Sequence, residues 1–60
     1  SLESEMAQFD QAHRDFLVAY TILTSKNTKS QAVKARKALM TIKNLCIDLR
    51  KSVQEYMKHI

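Results

Sequence analysis

Apolar residues fall three or four positions apart along nearly the whole chain. The first run is Leu2, Met6, Phe9, His13, Phe16, Tyr20 and Leu23, with His13 at a seam position, and its steps alternate 4 and 3. The second is Ala32, Ala35, Leu39, Ile42, Cys46, Leu49, Val53, Tyr56 and Ile60, with steps alternating 3 and 4. A strand repeats every two residues. An unbroken 3–4 spacing of this length therefore specifies helices packed along a coiled-coil-like seam. The chain contains no glycine and no proline, which argues against tight strand hairpins and glycine-rich phosphate loops.

The two runs are separated by the polar stretch "TSKNTKSQ". Asn27 tolerates a left-handed conformation and can end a helix without glycine. Thr28 followed by Gln31 fits a capping box, with Ser30 as the rival N-cap. So short a connection makes the helices antiparallel neighbours. The expected fold is all-α: one domain over residues 1–60, an antiparallel two-helix hairpin with helix one about 2–25, a turn about 26–29 and helix two about 30–58. Threading the hairpin about the turn sets Tyr20 near Ala35, Phe16 near Leu39, His13 near Ile42 and Phe9 near Cys46. Cys46 is then expected to be a buried packing residue.

The apolar surface is wider than two helices can cover. Ala12, Leu17 and Ala19 flank the first seam, Ala38 and Leu45 one side of the second, and Val33, Met40 and Ile47 the other. Long exposed apolar stripes mark interfaces, and a 60-residue chain has little core of its own. A homodimer is expected, two hairpins closing a four-helix bundle, with a higher homo-oligomer as the alternative.

Other functions are argued against. No apolar run is long enough to cross a membrane, and the apolar face is committed to the seam rather than to a membrane surface. The first residues lack the basic and apolar parts of a secretory leader, so a cytoplasmic location is expected. His13, His59 and Cys46 do not have metal-ligand spacing, and neither a metal nor a cofactor is expected. With no nucleophile–base pair and no paired acids on a buried face, an enzyme is not expected.

Charge divides by helix. Residues 1–25 carry Glu3, Glu5, Asp10 and Asp15 against Arg14, a net −3, and residues 26–60 carry nine Lys or Arg against Asp48 and Glu55, a net +7. Arg36, Lys43 and Arg50 recur at seven-residue steps and are expected beside the seam. Lys37, Lys51 and Lys58 lie further round, Lys34 extends the set, and Lys26 and Lys29 are in the turn. Acids on helix one can neutralise part of this stripe but not all of it. What remains suits the phosphate backbone of duplex DNA, bound with counterion release and without base reading. The alternatives are an oligomerisation or scaffold domain that binds no nucleic acid, and an RNA-binding helical hairpin.

The second helix also resembles a known family. Ala35, Arg36, Lys37, Ala38 and Leu39, then Ile42, Lys43, Asn44 and Leu45, then Leu49, Arg50 and Lys51 are similar in pattern to the small bacterial histone-like nucleoid proteins of the chlamydial type. The resemblance covers about half the chain. It implies a helical, nucleoid-associated protein that binds DNA with little sequence preference.

Overall fold

The computed structural model describes residues 1–26 and 28–59. The protein is all-α: α1 (Leu2–Lys26) and α2 (Lys29–Met57) pack against each other as an antiparallel hairpin. The rod measures 48 × 14 × 13 Å.

The helix ends follow from local chemistry. Ser1 Oγ accepts the Ser4 N–H at 3.2 Å and caps α1. Glu3 and Glu5 occupy its first turn and Lys26 its last, as the helix dipole favours. Thr21, Thr24 and Ser25 donate their hydroxyls to carbonyls one turn back, at 2.7–2.9 Å, a pattern that competes mildly with the helix near its end. Thr28 is the N-cap of α2, with φ −90° and ψ 133°, and its carbonyl accepts the Ala32 N–H at 3.3 Å. The expected capping box does not form. The Thr28 hydroxyl makes no cap hydrogen bond and is buried without a partner, and both Thr28 and Gln31 are half-buried rather than free to cap the helix end. Ser30, the rival cap, lies inside α2. The cap expected at Asn27 and the seam position expected at Ile60 lie outside the described residues.

The seam differs from the expected one by one row on each helix. Each seam consists of two rows of positions seven apart. One is the row expected: Leu2, Phe9, Phe16 and Leu23 on α1, and Ala35, Ile42 and Leu49 on α2, all buried or half-buried. The other is Glu5, Ala12 and Ala19 on α1, and Ala38, Leu45 and Ser52 on α2. The core is Ala12, Ala19, Ala35 and Leu45. Met6, His13 and Tyr20, and Leu39, Cys46 and Val53, expected in the seam, are exposed instead. Size explains the difference. Alanines let two helix backbones approach closely, and a close pair buries more of each side chain than a seam held open by Met, Tyr and Leu. Relative to the expected seam each helix is turned about 50° on its axis, one row of the heptad wheel.

The register moves as well. The Ser52 hydroxyl donates to the Glu5 carboxylate, 2.7 Å from each oxygen. Stepping seven residues along both helices sets Ala12 level with Leu45 and Ala19 level with Ala38. The expected pairs, such as Phe9 with Cys46, are therefore displaced by two residues.

Candidate nucleic-acid interface

Turning α2 carries its basic residues outward. On the heptad wheel the apolar row Leu39, Cys46 and Val53 now intervenes between the seam and the row Lys29, Arg36, Lys43 and Arg50. These cations are not beside the seam, as expected, but on the outer half of α2. A second row, Lys37, Lys51 and Lys58, lies further round. Between the two rows run Val33, Met40 and Ile47, at least half exposed, on the side of α2 directly opposite α1. Lys34 is apart from both rows. It borders a groove between the helices together with Asp15, Ile22, Ala38 and Thr41. Lys26 closes the last turn of α1. All nine are exposed. The structure gathers seven of them on one half of α2 and leaves Lys26 and Lys34 at the turn end and the groove.

Neutralisation by α1 does not occur among the described residues. Glu5 accepts from Ser52 and lies 3.8 Å from the Ser1 amino group. Asp15 accepts from Gln11 at 2.9 Å. The cation that is paired is Lys58, with Glu55 of its own helix, at 3.4 Å. The other eight make no ion pair among the described residues.

With a rise of 1.5 Å per residue, Lys29 to Arg50 spans about 32 Å along α2. The turn end adds to the positive potential. The first turn of α2 contains no acid, so Lys29 sits at the positive end of the helix dipole, where a cation is unfavourable unless an anion is near. Phe16 packs on Tyr20 with ring centroids 6.0 Å apart, on the face that carries Met6 and Leu39 and that the Arg36 row borders on α2.

The Glu5–Ser52 clasp was not foreseen from the sequence. Its signal is positional: Glu5 is seven residues before Ala12 and Ser52 seven after Leu45, so both continue the inner rows. Among the described residues no group of three His, Cys, Asp or Glu could hold a metal ion. Among the described residues no helix is long and apolar enough to cross a membrane. No family model matches the chain, and neither a curated protein nor a solved structure is significantly similar to it.

Proposed function

We propose that the chain is a duplex-DNA-binding, nucleoid-associated module that contacts phosphates with the outer half of α2 and reads no base sequence. The observation that carries this is the double row of seven exposed cations, six of which lack an ion-pair partner among the described residues, although four acids stand on the neighbouring helix. A solvated helix face has no need of such an excess, whereas a polyanion is bound by it through counterion release. The resemblance in pattern of Ala35 to Lys51 to the histone-like nucleoid proteins, which no significant match accompanies, points the same way. Lys29, Arg36, Lys43 and Arg50 form the leading contact row, Lys37, Lys51 and Lys58 the second. Lys26 and Lys34 add charge at the turn end.

The test is fluorescence anisotropy of a labelled ~30 bp duplex over a salt series. Binding should weaken linearly on a log–log plot and equally for unrelated sequences, each lost phosphate contact lowering the slope by about 0.9. Lys37→Glu with Lys51→Glu should remove binding while circular dichroism stays unchanged, because both side chains are exposed and away from the seam. Absence of binding at low salt leaves the scaffold alternative. A clear preference for RNA over duplex DNA selects the RNA-binding one.

A further inference from the structure

The two rows expected inside the seam have not scattered. Asp15 and Ile22 of α1 and Lys34 and Thr41 of α2 border the same groove, so the flanks beyond the alanine rows share one side of the rod. In an antiparallel pair the opposite flanks must then share the other side. Met6, His13 and Tyr20 of α1 stand there beside Leu39, Cys46 and Val53 of α2, with the half-buried Phe9, Phe16, Ile42 and Leu49 forming its floor. This large-residue face runs much of the length of the 48 Å rod.

We propose that a second copy of the chain covers this face, with the turns of both hairpins at the same end. Area is the first argument. The exposed surface is 4959 Å², whereas a compact monomer of this mass exposes about 4,000 Å². The excess is comparable to the ~800 Å² per partner of a standard interface. Charge supplies the occupant and its orientation. On α1 the face is bordered by Glu3 and Asp10; on α2 it is bordered by Lys29, Arg36, Lys43 and Arg50. Two-fold pairing permits two arrangements. With turns at opposite ends, the four-cation border meets its own copy, which is unfavourable. With turns at the same end, α1 meets the partner's α2, and Asp10 of each copy is level with the partner's Ile47, between its Lys43 and Arg50. The positive rows then lie on opposite outer sides of a four-helix bundle. Lys43 and Arg50 thus serve the dimer border as well as the proposed phosphate row, and the test of the dimer contains no nucleic acid.

Sedimentation equilibrium should give twice the 6.9 kDa chain mass. Tyr20→Glu with Leu39→Glu should reduce the mass to one chain, because both side chains are on the face but outside the intrachain core. Val18→Glu, equally exposed on the opposite side, should leave the dimer intact. A nitroxide at Ser25→Cys in a Cys46→Ala chain reports orientation by pulsed dipolar spectroscopy. Given a helical rise of 1.5 Å per residue, same-end turns give about 20–30 Å and opposite-end turns more than about 40 Å. Any mass other than two chains overturns the proposal, as does dissociation by Val18→Glu equal to that by Tyr20→Glu with Leu39→Glu. The long distance overturns the orientation.

Discussion

The two helices contribute equally to the seam but use charge in opposite ways. In α1, acids sit in the first turn and a lysine in the last, and Glu5 ties the open end of the hairpin to Ser52. The charges of its end turns, Glu3, Glu5 and Lys26, either suit the dipole of the helix that bears them or join the two helices. In α2, the first turn has no acid and the last has no base. Lys29 stands at the dipole's positive end, and the cations of α2, Lys58 apart, have no ion-pair partner among the described residues. A charge that serves its own helix needs no external explanation. A row of cations that the neighbouring helix leaves unpaired does, and α2 carries that row on its outer half.

The equal share of the seam can be broken most forcefully at Leu45. It is 7% exposed, and truncation to alanine should cost about 2–5 kcal/mol, enough to abolish the cooperative melt followed by circular dichroism. Its neighbour Cys46 is exposed, so Cys46→Ala should lower the melting temperature far less. The reverse order would return the large residues to the space between the helices. On α1 the matching test is overpacking. Ala19 is 2% exposed, and Ala19→Leu should cost about 1–3 kcal/mol by forcing the backbones apart. Ala7→Leu, on the exposed side, should be neutral within about 0.5 kcal/mol.

These contrasts also explain what was legible in the sequence. The two helices and their hairpin follow from the 3–4 spacing, and the row Leu2, Phe9, Phe16, Leu23 belongs to both the expected and the observed seam. The spacing does not decide which adjacent row completes the seam. Hydrophobicity points to Met6, Tyr20, Leu39 and Val53. Close approach selects Ala12, Ala19 and Ala38, and tolerates Glu5 and Ser52 because they bond to each other. The seven-residue recurrence of Arg36, Lys43 and Arg50 was legible whatever the seam, since a repeat along one helix does not depend on its neighbour, whereas Lys29, expected in the turn, joins that row as the first residue of α2. Their distance from the seam was not, because it changes with the rotation of the helix.

The clasp offers a smaller test of the service role assigned to the charges of α1. A hydrogen bond to a carboxylate contributes about 1.5–3 kcal/mol when well shielded. The Glu5 side chain is 21% exposed, so Ser52→Ala should cost less, about 1 kcal/mol. Urea melts of wild type and Ser52→Ala should therefore differ modestly in midpoint. Glu5→Gln should leave little further effect in the Ser52→Ala chain. Additive losses would mean that Glu5 stabilises α1 through its dipole instead of through Ser52.

The smallest effect sharpens the comparison most, because its sign is unusual. Lys29→Glu exchanges a cation for an anion at the N-terminal end of α2, and the dipole should reward this with about 0.3–1 kcal/mol. The variant should melt higher than wild type, the more so at low salt, where exposed charges are least screened. The same exchange in reverse on α1, Glu3→Lys, should lower the melt by a similar amount. If α2 is the DNA-binding helix, Lys29→Glu must also weaken duplex binding and flatten its salt dependence, so that stability and affinity move in opposite directions at one residue. A variant that is both more stable and fully competent in binding would mean that Lys29 opposes its helix without contributing to the phosphate contacts, and would confine the interface to Arg36 and the residues beyond it.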